Sequence, residues 1–141
     1  ARSFWEWNVK PDVLVTIDEE RHKQNLLKVN MSKAYLRGAL LWGANLRWTN
    51  LSESDLCHAD LSEAYLSDAK LTFANISEAN LVGADLSNAE LHNTDLSHAN
   101  LQNAYLRGAD LRGANLRHAN LDGVDLEEVD LSTTIFCNDC N

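Results

Sequence analysis

In the stretch Ala79-Asn80-Leu81-Val82-Gly83-Ala84-Asp85-Leu86-Ser87-Asn88-Ala89-Glu90-Leu91, a large apolar residue returns at every fifth position and a small one precedes it by two. Working outward, the beat continues without a slip. From Met31 to Phe136, 22 consecutive units place Leu, Ile, Met or Phe at this central position. Two residues before each centre the chain mostly carries Ala, relaxing to Thr49, Ser54, Thr94, Val124 and Val129.

A period of five fits neither the 3.6-residue helix nor the two-residue strand, so neither could keep all these residues on one buried side. A square coil can. If each unit forms one short side and one corner, centre and small residue both point inward, and four units close a turn of 20 residues. The glycines test this independently: all six (Gly38, Gly43, Gly83, Gly108, Gly113, Gly123) fall two residues after a centre, a slot shared by Asn88, Asn93, Asn103 and Asn138. Gly and Asn tolerate the positive φ that the third position of a type II turn requires, which places the corner between each centre and the next small residue.

The triplets Ala79-Asn80-Leu81, Ala84-Asp85-Leu86, Ala109-Asp110-Leu111 and Ala114-Asn115-Leu116 resemble the A-(D/N)-L-x-x motif of the pentapeptide-repeat family. The resemblance covers residues 29–138 and implies an all-β solenoid, a right-handed quadrilateral β-helix. Its length corresponds to about five and a half coils, roughly 26 Å tall at the usual strand spacing. Residues 1–28 are expected to form an N-terminal cap and 139–141 a short C-terminal tail. Within the cap, Val13 to Ile17 reads as extended. Thr16 and Glu19 suggest a capping box opening one helix near Asp18 that ends near Leu27. Leu26 is itself in register with the centres, which sets the boundary to within one unit.

The net charge is −9, and residues 29–138 hold 15 acids against 7 bases, so the repeats carry the acidity. Direct nucleic-acid binding, which needs clustered Lys and Arg, is disfavoured. No stretch approaches the roughly 20 apolar residues of a membrane-spanning helix, so no transmembrane segment is expected. The chain opens on Ala1 with no leader after it, as a trimmed start would. The expected protein is soluble, and cytoplasmic and exported or lumenal locations both stay open. Long tandem arrays of this kind resemble those abundant in cyanobacteria.

Residues 20 apart stack on neighbouring coils, so outward columns can be read directly. Tyr65 and Tyr105 face outward on one side with Asp85 between them, and Arg107, Arg112 and Arg117 band one coil across three sides. The band either recognises an acidic partner or pairs with carboxylates such as Asp110 and Asp130. Trp42 and Trp48 lie in the aromatic N-terminal third, with Phe4, Trp5, Trp7 and Tyr35. They are either covered by the N-terminal segment or offered to a partner or membrane interface. Gly38, His58, Glu78, His98 and His118 share a corner column in which the spacing of Glu78, His98 and His118 is one a metal could use; against that the column is read as a solvated ladder, and no metal site is assigned. Cys137 and Cys140 form a C-x-x-C that suits a structural disulfide, free thiols or metal or redox chemistry. Cys57 lies four coils from Cys137, too far to bridge to it. Some lumenal and exported members of the family are similar in carrying C-terminal cysteines.

No nucleophile, base and orienter set is present and the glycines are used at corners, so neither catalytic residues nor a cofactor is expected. The reading is a non-enzymatic protein–protein interaction scaffold with an unidentified protein partner, as a monomer or end-to-end dimer. A second reading is an acidic imitation of duplex DNA that binds a topoisomerase or other DNA-binding protein, as in family members that protect DNA gyrase. A third is a metal or redox role at Cys137 and Cys140.

Overall fold

The computed structural model describes residues 16–18 and 23–137. From Asn25 onward the backbone climbs by 20 residues per coil. Parallel bridges join each residue before a centre to its equivalent 20 positions later, from Asn25↔Asn45 to Asn115↔Ile135. Each side is so short that it contributes one bridge rather than a strand.

One unit shows how every backbone donor is satisfied. Asp55 N–H donates to Ala34 O (3.0 Å) on the coil before, and Leu56 N–H (2.7 Å) and His58 N–H (3.1 Å) donate to Asn75 O and Ser77 O on the coil after. Ala59 N–H closes the corner onto Leu56 O at 3.0 Å. That leaves Cys57 N–H, which donates to Asp55 Oδ1 at 3.1 Å. The same side-chain acceptance recurs at Ser62 from Asp60, Ser77 from Asn75, Ser87 from Asp85 and Ser97 from Asp95. The Asp or Asn before each centre is therefore structural: it takes up the one amide the ladder leaves over, as an Asx turn does.

The bore is lined by apolar side chains. Centres 26 through 111 are at most 1% exposed, and the alanines beside them are buried with them. At roughly 1.5–3 kcal/mol for each fully buried large apolar side chain, this column supplies the main cohesion. Thr49, Ser54 and Thr94 stand in the small-residue slot and are buried too. Their hydroxyls donate to carbonyls of centres, Thr49 to Leu26 O (2.8 Å), Ser54 to Leu51 O (2.6 Å) and Thr94 to Leu71 O (2.7 Å). A carbonyl has two lone pairs, so each also accepts its corner amide.

The corners go further than the glycines suggest. Every one from residue 28 to residue 128, in steps of five, has positive φ, and most are not Gly or Asn: Lys33, Trp48, His58, Phe73, Glu78 and Glu128 are left-handed at φ 58–61°. Within the stack two ladder bonds and a closing turn bond fix a corner such as His58, which offsets the roughly 1–2 kcal/mol an L-residue loses there. At the last corner β-branched Thr133 stands outside the left-handed series, although Thr134 N–H still reaches Leu131 O at 3.1 Å.

The N-terminal end corrects the expected helix. Thr16–Asp18 is strand β1 and Lys23–Asn25 is strand β2, paired antiparallel with Thr16 opposite Asn25. Asn25 also bridges Asn45, so β1 lies against the free edge of the first coil on that side. An exposed edge offers unpaired amides and carbonyls, and a strand satisfies them where a helix does not. Residue 19 of the expected capping box, and the aromatic residues at 4, 5 and 7, lie outside the described residues. Leu26 is fully buried as the first centre of the bore. Toward the other end Leu121, Val124, Leu126, Val129 and Leu131 are only partly buried, and Ile135 and Phe136 are exposed. The valines replace alanine where no described coil follows to fill the bore.

Candidate partner-binding face

On the side whose centres are Leu46, Leu66, Leu86, Leu106 and Leu126, the outward column reads Asn45, Tyr65, Asp85, Tyr105, Asp125. All three tyrosines of the chain, Tyr35 included, occupy this slot before a centre, where Asn or Asp mostly takes up the spare amide and Leu40, Lys70, Glu90 and Ile135 also depart from that pattern. A tyrosine ring cannot do so. Tyr65 is 38% exposed and Tyr105 is 64% exposed.

Between them the surface is hollow. A depression of about 360 Å³ is lined by Glu63, Tyr65, Gly83, Asp85, Ser87 and Tyr105. Gly83 opens it, since a Cβ there would meet only Glu63 Cγ, at 3.6 Å. Past Tyr105 a second depression of about 510 Å³ continues toward Arg107 and Asp125. Asp85 Oδ1 is held by Ser87 N–H at 3.0 Å, which fixes the carboxylate between the two rings. The Arg47 guanidinium lies 4.3 Å from the Tyr65 ring centroid, a cation–π contact that steadies the ring. The walls are thus aromatic and the floor acidic.

The arginine band is largely engaged within the chain. Arg107 donates to both Glu128 oxygens at 3.0 and 3.1 Å, raising its own pKa and lowering that of Glu128. Arg112 donates to both Asp110 oxygens at 2.8 and 2.7 Å and lies 4.0 Å from Asp130. That bidentate bond holds the Asp110 pKa down at about 2, with His92 Nδ1, 3.6 Å away, adding to the field. Arg117 is half-buried, its amide donating to Asn115 Oδ1 at 3.1 Å. Of the three, Arg107 borders the tyrosine groove.

Trp42 and Trp48 are 45% and 59% exposed at the N-terminal end of the coil. The histidine column divides: His98 and His118 stack with ring centroids 4.7 Å apart, while His58 Nε2 turns to Glu78 Oε2 at 3.6 Å. Cys57 is a free, buried thiol. Cys137 is disulfide-bonded, and its expected partner, Cys140, lies outside the described residues. The closeness of Cys57 to His58 and Glu78 went unread in the sequence, although the 20-residue column that brings them together was available as the signal.

Among the described residues no helix is long and apolar enough to cross a membrane. The family description "Pentapeptide repeats", in 8 copies, matches residues 30–68, 64–103 and 99–136. Members of that family form right-handed quadrilateral β-helices, and the four-sided coil seen here is that fold. Among solved structures, the chain is similar to a pentapeptide repeat protein of the Arabidopsis thaliana thylakoid lumen (27% identity, 73% of this chain and 72% of that one, TM-score 0.46). It is also similar to Rfr23 of the cyanobacterium Cyanothece (32%, 87% and 78%, TM-score 0.38) and to a pentapeptide repeat protein of Nostoc (40%, 72% and 77%, TM-score 0.39). None of the curated proteins matches the chain.

Proposed function

The chain belongs to the pentapeptide-repeat family, and from that premise we propose that it is a non-enzymatic interaction scaffold whose protein partner is read on the face bearing Tyr65, Asp85 and Tyr105. One observation carries the reading. Two tyrosines displace the residue type that completes the backbone accounting, and they stand exposed around one hollow. Each replacement gives up a hydrogen bond worth about 1 kcal/mol, and at Tyr105, 64% exposed, little burial comes in return. Interfaces favour tyrosine because it offers large contact area and a hydroxyl at low entropic cost. The partner that fits presents a basic or hydrogen-bond-donating group to Asp85, flanked by surface that stacks on the rings.

The acidic DNA-mimic reading draws on the 15 acids of residues 29–138. Against it, Asp55, Asp60, Asp85, Asp95 and Asp110 each hold a backbone amide, so their spacing follows the coil rather than a phosphate backbone. The C-terminal cysteine pair is proposed as structural. Division into a cap (1–28), a solenoid of about five and a half coils at the usual strand spacing (29–138) and a tail (139–141) fits this role, as a monomer or end-to-end dimer.

Affinity capture from the native host tests the reading when wild type is run beside Tyr65→Ala/Tyr105→Ala and a Trp42→Ala/Trp48→Ala control. The expected result is a protein retained by wild type and by the tryptophan variant but lost with the tyrosine variant. Retention unaffected by the tyrosines, or capture of a topoisomerase through carboxylates alone, overturns it.

A further inference from the structure

We propose that Cys57, His58 and Glu78 form a binding site for a single Zn²⁺ ion, completed by water. The three residues sit at one corner of two successive coils, on the side opposite the tyrosine column. One ligand atom from each, a thiol sulfur, an imidazole nitrogen and a carboxylate oxygen, lies within 4.8 Å of the other two. A tetrahedral zinc site with bonds of about 2.0–2.3 Å has ligand-to-ligand edges of roughly 3.3–3.8 Å. The His58 Nε2 to Glu78 Oε2 separation of 3.6 Å already falls on that edge. It is too long for an ordinary hydrogen bond between these groups. Small side-chain rotations would bring the sulfur into the same sphere.

The backbone holds the donors in register. His58 and Glu78 are both left-handed corners, at φ 60° and 58°. His58 N–H donates to Ser77 O (3.1 Å) and Glu78 N–H to Ser97 O (2.9 Å), so the two ligands stand on consecutive rungs. Cys57 is 3% exposed, which shelters the sulfur, and its amide is tied to Asp55 Oδ1. The Ser77 hydroxyl lies 2.6 Å from Asn75 Oδ1 and 3.4 Å from Cys57 Sγ, so its one proton can turn from the amide oxygen to the sulfur once the thiol is ionised. Arg37, one coil before Cys57 in the same column, is drawn off toward Asp55 at 3.7 Å. One coil before His58 stands Gly38, where a Cβ would meet nothing within 4 Å.

The donor set chooses the metal. A thiolate with an imidazole and a carboxylate suits a borderline-soft divalent ion and disfavours Mg²⁺ or Ca²⁺, which take oxygen shells. On binding, the Cys57 thiol gives its proton to solvent and the sulfur donates an electron pair to the metal. Charge then balances, with thiolate and carboxylate against the dication. His118, stacked on His98 two coils further along the column, takes no part.

The test uses the full chain, freed of metal by a chelator that is then removed, with Co²⁺ as the spectroscopic probe and Zn²⁺ as competitor. The expected result is a thiolate-to-cobalt charge-transfer absorption that saturates at one ion per chain and is erased by Zn²⁺. Cys57→Ala abolishes that band. His58→Gln and Glu78→Gln, whose side chains are half exposed and so leave the fold intact, each weaken binding by about tenfold or more, while His118→Gln leaves it unchanged. Binding without the thiolate band, no binding at all, or equal affinity in the His58 and Glu78 variants would overturn the site. Because these residues lie away from the tyrosine groove, partner capture and metal binding can fail independently.

Discussion

Gly108→Ala probes how the coils are registered at their corners. Gly108 has φ +74°, and a Cβ built there would run into Asn88 Oδ1, directly one coil before it; Gly113 on Asn93 and Gly123 on Asn103 repeat the arrangement. Two costs then add. An L-residue in the left-handed region loses about 1–2 kcal/mol. Displacing the Asn88 side chain from its rotamer adds about 0.5–1.5 kcal/mol. Gly38→Ala isolates the first cost, because φ is +69° there and the space is open. Urea unfolding of the two variants should therefore place Gly108→Ala below Gly38→Ala by about the rotamer cost alone. In an Asn88→Ala background that gap should close, since the obstructing amide is gone. Equal losses at the two glycines, or a gap that survives Asn88→Ala, would refute the argument that asparagine fills the space the next coil's glycine vacates.

Thr94→Val keeps the volume of a fully buried side chain but removes its 2.7 Å bond to Leu71 O, and thermal unfolding should report a loss of about 1 kcal/mol. The loss stays modest because Leu71 O still accepts Ala74 N–H at 3.0 Å. Acid should erase the contribution of the pair formed by Asp110 and Arg112. Arg112, through its side-chain bonds, holds the Asp110 pKa at about 2, below its unfolded value, so the pair stabilises above that unfolded value and ceases to as pH falls toward 2. The difference in Tm between wild type and Arg112→Ala should thus be full near neutrality and shrink between about pH 4 and pH 2. A difference that stays constant over that range contradicts the assignment.

The outward face shows where a column reading by itself reaches its limit. Stacking by twenties correctly brought Tyr65, Asp85 and Tyr105 onto one side, and also lined up His58, Glu78, His98 and His118. Column membership says which residues are neighbours and not how their side chains turn. His98 and His118 spend their proximity on ring stacking, whereas His58 swings to Glu78 and toward Cys57 on the adjoining column. Likewise the arginine band was visible in the sequence, but its bidentate bonds to Glu128 and Asp110 depend on rotamers that only packing selects.

The sequence by itself determined the bore, because burial is read out by period and a beat of five admits no ordinary helix or strand. It also marked the corners, through glycines that all fall in one slot. Only the tertiary structure decided that lysine, tryptophan, phenylalanine and glutamate bend there as glycine does, since the bonds that hold them left-handed come from residues 19 to 21 positions away. The N-terminal cap lay beyond local reading for the same reason. Thr16 and its neighbours carry a helix-start signal, but a free coil edge beside them offers backbone partners, and pairing with that edge satisfies more of the chain's amides than a solitary helical turn.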